Sequence, residues 1–214
     1  MNNNAAEVIG DVRPRFEFRT FGQNLAKDAG RMARLSVPVP ENIWERHSRE
    51  IYILSRTNDQ NNTKIRDDKM DIKTRVQVKD RLEQWNPLMK AGFPISAHVV
   101  RHEVFPAFQV PCPTLNQEVY ALAEFLEMIR NHPDLLAVRV TKQRFGYKVN
   151  NTICEYGIVW INGAKVYTLS SESTECDDIH KTLADIGLDV YENINYLEAI
   201  KRVTGMVDKP LVNE

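Results

Sequence analysis

The chain has 214 residues and a mass of 24.7 kDa, which suits one domain or one domain with a large insertion. It is 43% hydrophobic and 27% charged, so it can bury a core, and this excludes a disordered chain, a collagen-like fibre and a coiled-coil rod. Lys plus Arg (28) nearly balance Asp plus Glu (29), so the bulk charge predicts neither a nucleic-acid duplex nor a membrane as partner. A locally basic site stays compatible with this balance.

The domain organisation and compartment follow from the ends of the chain and its cysteines. Residues 1–12 are polar and lack the features of a signal peptide, so they are interpreted as a tail. We expect one domain over residues 13–204, with an insertion at about 81–135, and a second tail at 205–214. The three cysteines form no C-x-x-C pair, which predicts a reduced, cytoplasmic protein with buried thiols.

The predicted elements follow one another in an order typical of a mainly antiparallel sheet. They are a strand over 13–21, a helix over 23–35, a strand over 49–54, a hairpin of 64–66 with 70–78, helices over 82–92 and 118–130, a strand over 138–149, a hairpin over 153–171 and helices over 177–186 and 196–203. Each strand has an apolar and a charged face. We therefore predict an α+β fold, a mainly antiparallel β-barrel with its polar face inward and helices packed outside.

The charged face of the first predicted hairpin is basic. With a turn at 68–69, Lys64 lies opposite Lys73, and the same face carries Arg66 and Arg75. Like charges directly opposite one another destabilise a sheet, so this face favours a bound anion. The alternative is a solvated strand face with scattered charge.

The second predicted hairpin carries two carboxylates on one face. Its Asn162-Gly163 turn places Glu155 opposite Ser170 and diagonal to Glu172. Two neighbouring carboxylates suit a divalent cation, which prefers oxygen ligands, whereas the alternative is a pair of surface glutamates. Two other strands add further inward charges: Lys142, Arg144 and Lys148 on one, and Arg15, Glu17 and Arg19 on the other.

Several short motifs resemble, in their order along the chain, those of a known family. They are Arg15-Phe16-Glu17-Phe18-Arg19, Lys64-Ile65-Arg66, Asp71-Ile72-Lys73, Lys142-Gln143-Arg144 with Tyr147, Ser170-Ser171-Glu172, Asp185-Ile186-Gly187-Leu188 and Asn195-Tyr196-Leu197-Glu198. The family is the CYTH superfamily of triphosphate tunnel metalloenzymes, which includes class IV adenylate cyclases, thiamine triphosphatases and inorganic triphosphatases. The resemblance covers roughly residues 13–80 and 137–204. The family's opening Glu-x-Glu-x-Lys reads Arg15-x-Glu17-x-Arg19 here, and its late Glu-x-Glu reads Ser170-x-Glu172.

The resemblance implies a basic tunnel that binds a nucleoside triphosphate or inorganic triphosphate and hydrolyses it with Mg²⁺ or Mn²⁺. The expected phosphate-binding residues are Arg15, Arg19, Lys64, Arg66, Lys73, Arg75, Lys142 and Arg144. The expected metal ligands are Glu17, Glu155 and Glu172, and the expected catalytic residues are Glu17, Lys73 and Glu172.

Other functions are open from the sequence alone. One is a class IV-type adenylate cyclase, another is a non-catalytic nucleotide or polyphosphate-binding protein with a reduced metal site, and a third is a plain α+β interaction module. The expected partner is a small molecule, with neither a nucleic-acid duplex nor a membrane. Two roles are open to the insertion: a lid over one tunnel mouth or the contact of a homodimer.

Overall fold

The computed structural model describes residues 14–211. Its strands are β1 (Phe16–Gly22), β2 (Glu45–Ser55), β3 (Asn61–Arg66), β4 (Lys69–Lys79), β5 (Leu82–Gly92), β6 (Ile95–Ser96), β7 (Val119–Tyr120), β8 (Leu135–Val149), β9 (Thr152–Ile161) and β10 (Ala164–Ser173). Its helices are α1 (Ala26–Leu35), α2 (Glu41–Trp44), α3 (Ala97–Val99), α4 (Phe105–Phe108), α5 (Leu122–Arg130), α6 (Cys176–Ile186) and α7 (Tyr196–Val203), with a π-helical turn over Val100–Val104 joining α3 to α4.

Eight of these strands form a closed barrel. Their order is β1-β10-β9-β8-β2-β3-β4-β5, with β5 pairing back onto β1, and every described pairing in the barrel is antiparallel. The two remaining strands, β6 and β7, form a small separate sheet. The predicted α+β fold, an antiparallel barrel with helices packed outside, is confirmed.

Two-residue turns set the register of the main hairpins. Asn162 and Gly163 both have positive φ, as a type I′ turn requires, and the predicted pairing of Glu155 with Ser170 is confirmed. In the first hairpin the left-handed residues are Asp67 and Asp68, one position before the predicted turn.

The first hairpin therefore pairs differently from the prediction. Lys64 lies opposite Asp71 rather than Lys73, and the pairing closes at Arg66 and Lys69. The predicted facing of two lysines was wrong, because the turn begins one residue earlier and every partner moves by two. A shift of two leaves each side chain on the same face of the sheet, so the basic face itself is unchanged.

Residues 82–92 form a barrel strand, and the predicted helix there was wrong. Asp80 and Arg81 both have positive φ and turn the chain tightly from β4 into β5. Pro87 lies opposite Lys73, at a shift in the register between the two strands. A proline is accommodated at such a bulge because no regular ladder hydrogen bond is required of it. The start of the predicted insertion thus belongs to the barrel.

The helices cover the outside of the barrel through two apolar clusters. In one cluster, strands β2, β3, β4 and β5 pack against the segment that runs from β6 to α5. Its buried members include Ile72, Phe105 and Phe125. The other packs α1 and α6 onto β1 and β10 through Phe18 and Ile179. These outward apolar residues alternate along the strands with charged ones, which therefore point inward.

Helix α7 closes one end of the barrel. Its residues Tyr196, Leu197 and Ile200 pack against inward-facing apolar side chains, among them Phe21 and Val138. The segment leading into α7 is tied to the edge of β1, since the amide nitrogen of Arg19 donates to Asn193 Oδ1 and the Ile194 amide donates to the Arg19 carbonyl. The barrel interior is thus apolar at this end and charged beyond it.

The remaining predictions fare as follows. The helix expected from residue 118 begins at Leu122, because Val119 and Tyr120 pair with β6 instead.

Of the three cysteines, all free, only Cys154 is buried. Within residues 14–211 no helix has the length and apolar character needed to span a membrane. The predicted tail at 1–12 and residues 13 and 212–214 lie outside the described residues.

Candidate functional site

The alternation of the strands brings most of the charged side chains singled out from the sequence onto the inner wall of the barrel. Contacts that cross the barrel show this directly, since Arg19 on β1 and Arg46 on β2 both reach Glu155 on β9. The basic side chains on this wall include Arg15, Arg19, Arg46, Lys64, Arg66, Lys73, Arg75, Lys90, Lys142 and Arg144, and the acidic ones include Glu17, Glu50, Asp71, Glu83, Glu155 and Glu172.

Glu155 lies at the centre of an arginine cluster. Its side chain is 13% exposed, and its two oxygens face three guanidinium groups from three strands. Arg19 Nη1 lies 3.5 Å from Oε1, while Arg46 Nη2 and Arg144 Nη1 lie 3.2 and 3.7 Å from Oε2. We call these four residues the arginine clamp. Three cations surround one anion, so the clamp carries excess positive charge.

Arg19 connects the clamp to a second carboxylate. Its Nε donates to Glu17 Oε1 at 2.5 Å, and its guanidinium lies 4.8 Å from the centre of the Tyr196 ring. Burial alone would lower the pKa of Arg19, but the nearby Glu17 carboxylate leads a set of contacts that raise it above its ordinary value. Arg19 is therefore a permanently charged group held in one orientation.

Glu172 is the least neutralised of the predicted metal ligands. It lies directly opposite Glu17 on β10, and its closest cation is Arg15, with Nη1 4.0 Å from Oε2. Burial and, after it, the Glu17 charge raise the pKa of Glu172 to about 7. Near neutral pH this carboxyl therefore exchanges a proton.

A buried lysine marks the transition to the apolar end of the barrel. Lys142 Nζ lies 2.8 Å from Glu50 Oε2, donates to the Tyr52 hydroxyl at 2.7 Å and lies 3.7 Å from the centre of the Tyr196 ring. Burial lowers the pKa of Lys142 to about 7, although Glu50 opposes this. The pKa of Glu50 stands at about 2, because Lys142 and Lys64 outweigh the effect of its own burial. Below about pH 7 the lysine is therefore protonated and the pair is ionised.

The wall formed by β3 and β4 holds the other predicted phosphate-binding residues. Lys64 pairs with Asp71 at 3.5 Å and Arg66 with Glu50 at 3.4 Å. Lys73 is exposed and lies within 4 Å of no described carboxylate oxygen, although its charge acts on Glu172 from further away. Its charge is therefore available to a ligand.

Two predicted phosphate-binding residues lie apart from the clamp. Arg75 donates to Glu83 at 2.7 Å and lies over the Trp85 ring, so it is drawn towards β5. Arg15 is 49% exposed near the start of β1. The structure thus brings Arg19, Arg144 and the three predicted acids together and leaves Arg75 and Arg15 at the margin.

Sequence reasoning missed Arg46, Glu50 and Tyr196. Arg46 and Glu50 both lie on the inward face of β2, but the alternation of polar and apolar residues was an available signal for Glu50 alone. The predicted strand began at residue 49, which left Arg46 outside it. Tyr196 was quoted only within a C-terminal motif, and its entry into the barrel on α7 depends on tertiary structure.

Several buried donors in the barrel have no hydrogen-bond partner among the described residues. They are Nε of Arg46, Nε of Arg144 and the hydroxyl of Tyr196. A buried donor left unpaired costs about 1–3 kcal/mol, so native structures rarely retain one without a ligand or water. Acceptor oxygens of an anion would satisfy these groups.

The acidic side chains do not fit a resident divalent cation. Within residues 14–211, no three or more His, Cys, Asp or Glu side chains form a group able to hold a metal ion. Glu155 is committed to the clamp and Glu17 to Arg19, so a cation approaching either one would meet arginine charge first. The expectation of Mg²⁺ or Mn²⁺ stays a prediction of the resemblance.

Two surface grooves lie away from the arginine clamp. One, of about 430 Å³, is lined by Asp59, Arg75 and Val78, among others. The other, of about 540 Å³, lies between α1 and α2 and is lined by Val37 and Trp44. Neither groove is lined by Glu155 or the clamp arginines, so the charged interior remains the candidate site.

Comparison of the sequence with protein families finds no match, and comparison with curated proteins finds none. Solved structures do match. A candidate adenylyl cyclase from Hippeastrum, HpAC1, described as having a dominant triphosphatase activity, is 10% identical, with a TM-score of 0.49 over 94% of this chain and 100% of that one. A candidate adenylate cyclase from Bacillus halodurans is 12% identical, with a TM-score of 0.47 over 87% and 97%.

A third solved structure, of a protein from Pyrococcus horikoshii OT3, is 15% identical, with a TM-score of 0.45 over 86% of this chain and 98% of that one.

Proposed function

We propose that the chain is a divergent member of the CYTH superfamily and that its barrel binds a triphosphate-containing anion, either a nucleoside triphosphate or inorganic triphosphate. The observation that carries the proposal is the arginine clamp. Its arginines come from three strands, they exceed the carboxylate they surround, and two of them keep a buried donor without a partner. Guanidinium groups bind phosphate oxygens through short, charge-assisted hydrogen bonds.

The spread of basic groups favours a chain of phosphates over a single one. The clamp lies on β1, β2 and β8, whereas Lys64 and Lys73 lie on β3 and β4, another part of the wall. A triphosphate chain can place one phosphoryl group at the clamp and another at Lys73, whose charge has no ion-pair partner among the described residues.

Binding exchanges one set of ion pairs for another. In the structure Glu155 occupies part of the hydrogen-bonding capacity of its three arginines. An incoming phosphate takes over these donors and adds the unpaired Nε groups of Arg46 and Arg144. The apolar end closed by α7 limits how far the anion enters, with Lys142 and Tyr196 at that limit.

A second candidate is turnover of the bound triphosphate. The observation that favours it is Glu172, an inward carboxyl whose pKa is raised to about 7 by burial and by Glu17. A group that exchanges a proton near neutral pH is suited to act as a general base. Hydrolysis would use water as the nucleophile, whereas a cyclase would use the ribose 3′-hydroxyl. The resemblance supplies both activities as expectations.

The test is calorimetric titration of the purified full-length chain with inorganic triphosphate and, separately, with ATP. Saturable binding of either anion is the expected result. Products are then separated by ion exchange after incubation with Mg²⁺, with Mn²⁺ or with EDTA. Phosphate release would support the triphosphatase, cyclic AMP would support the cyclase, and the absence of binding to both anions would overturn the proposed function.

A further inference from the structure

The arginine clamp differs in one respect from what a metal-dependent triphosphate site requires. In such a site, carboxylates hold the cation and the cation holds the phosphate oxygens. Here Glu155, buried between β8 and β10, directs both of its oxygens at arginines. Glu17 does the same with Arg19. The acids therefore orient guanidinium groups.

The clamp also supplies positive charge that a cation would otherwise bring. Arg19, Arg46 and Arg144 carry three positive charges against the two negative charges of Glu155 and of Glu17, which is bonded to Arg19, so one positive charge is left over. The guanidinium group is planar and always charged. It loses little conformational freedom when it binds, because its N–H donors are held in a rigid plane. Because the clamp arginines come from three strands, their charges converge on one point of the inner wall.

Unpaired donors show where a ligand would complete the clamp. Nε of Arg46 and Nε of Arg144 are buried without a partner among the described residues, and these two residues are direct cross-strand partners on β2 and β8. The unpaired hydroxyl of Tyr196 lies on the residue whose ring contacts Arg19. Each of these donors requires an acceptor oxygen, which a phosphate has and a metal ion lacks.

We infer that the clamp binds the phosphoryl oxygens directly, in the role that a divalent cation would otherwise fill, so that triphosphate binding by this chain does not require a metal. This inference rests on the proposed function. Metal-independent binding should depend most on Arg46, because this residue joins the clamp from β2 and brings an unpaired donor. Glu155 is a positioning residue, since it acts on the ligand through the arginines.

The first test titrates the full chain with inorganic triphosphate in EDTA and again in excess Mg²⁺. Because the clamp is complete without a cation, Mg²⁺ should strengthen binding by less than about threefold. An affinity at least about tenfold weaker in EDTA than in Mg²⁺ would overturn the inference while leaving the proposed function in place. Absence of binding under both conditions would overturn both.

The second test uses a pair of variants on the same strand. Arg46→Ala should weaken triphosphate binding in EDTA by at least about tenfold, because it removes a bidentate donor. Arg46→Lys keeps the positive charge but loses the planar guanidinium. Its affinity should therefore lie between that of Arg46→Ala and that of the parent. Arg49→Ala, exposed on the outer face of β2, is the control and should bind within about twofold of the parent. Equal affinity for Arg46→Ala and the parent, with matching circular dichroism, would overturn the inference.

Discussion

Glu17 and Glu172 are direct cross-strand partners on β1 and β10, and both side chains point into the barrel. Two like charges placed opposite one another destabilise a sheet. Arg19 neutralises Glu17 at 2.5 Å, whereas the ion pair of Glu172 with Arg15 is looser, at 4.0 Å. Burial and, after it, the charge of Glu17 raise the pKa of Glu172 to about 7, and a proton on Glu172 relieves the repulsion between the two carboxylates.

The titration of Glu172 predicts a pH dependence of triphosphate binding. The charged groups that act on it are Glu17, Arg19, Glu155 and Lys73, with Arg15 beside it. Below pH 7 the carboxyl is protonated and the interior loses one negative charge, so affinity should rise as pH falls from 8 to 6. A change of several-fold is expected, about 1 kcal/mol for one partly screened charge. Calorimetry of the parent and Glu172→Gln checks this.

The ratio of the Glu172→Gln affinity to the parent affinity isolates the effect of Glu172, because protonation of the triphosphate itself affects both proteins equally. Glu172→Gln should bind more tightly than the parent at pH 8 and equally at pH 6. A ratio that stays constant from pH 6 to 8 would contradict the prediction.

The same carboxyl also affects stability. Its pKa is about 7 in the folded chain against an ordinary value of 4.5, so the folded state holds the proton more tightly. Stability therefore falls as pH rises from about 4.5 to 7 and stays low above 7. Since the side chain is 33% exposed, solvent screening reduces the effect to about 1 kcal/mol. Glu172→Gln should be more stable than the parent at pH 8 in urea unfolding, and a less stable variant would contradict this.

Substitutions at the buried pair Lys142 and Glu50 should have non-additive effects on the free energy of unfolding. Lys142→Met removes the ammonium that lies 2.8 Å from Glu50 and leaves a buried carboxylate with hydrogen bonds from Ser48 and Arg66 and the weaker support of the Lys64 charge. The expected loss is about 3 kcal/mol in urea unfolding. Adding Glu50→Gln to Lys142→Met should recover part of this loss, because the uncompensated charge is gone. A double variant less stable than Lys142→Met would contradict this account.

Local signals predicted some strands of the barrel and could not predict others. The alternation of β1 and the Asn162-Gly163 turn identify their strands without reference to the rest of the chain. Strand β5 lacks both signals, because its turn is formed by Asp80 and Arg81 and contains neither Asn nor Gly. Tertiary pairing with β4 holds them there. The predicted helix at 82–92 failed for this reason.

The site was predictable in composition but not in its pairings. Arg19, Arg144 and Glu155 could be assigned to inward faces from period two alone. Arg46 could not, since its neighbours Glu45 and His47 are polar as well and the alternation disappears at that end of β2. The contact between Arg46 and Glu155 joins residues 109 positions apart and depends on closure of the barrel. No local pattern contains that information.

Removal of single basic side chains should weaken triphosphate binding. Lys73→Ala removes a charge without an ion-pair partner among the described residues, and Arg144→Ala removes a clamp member. Each should cost about 1–3 kcal/mol of binding free energy, as for lost charge-assisted hydrogen bonds. Arg139→Ala, exposed on the outer face of β8, is the matched control and should bind like the parent. Unchanged affinity in both Lys73→Ala and Arg144→Ala would contradict the basic interior as the binding site.

The close packing of α2 against β8 predicts the cost of adding one methyl group. A Cβ on Gly146 would lie 2.6 Å from the carbonyl oxygen of Ile43, closer than such atoms can approach, and a backbone atom cannot move aside as a flexible side chain can. Gly146→Ala should therefore displace α2 and lower stability by about 1–3 kcal/mol.

Gly92→Ala is the matched control for this substitution, because a Cβ there meets no atom within 4 Å. It should leave stability unchanged or raise it slightly, since alanine restricts the unfolded chain. Urea unfolding of both variants measures the difference, and hydrogen exchange of residues 41–48 reports whether α2 has moved. Because Arg46 lies two residues after the end of α2, Gly146→Ala should also weaken triphosphate binding, while Gly92→Ala should not. Equal stability and equal exchange in the two variants would show that α2 does not depend on the missing side chain.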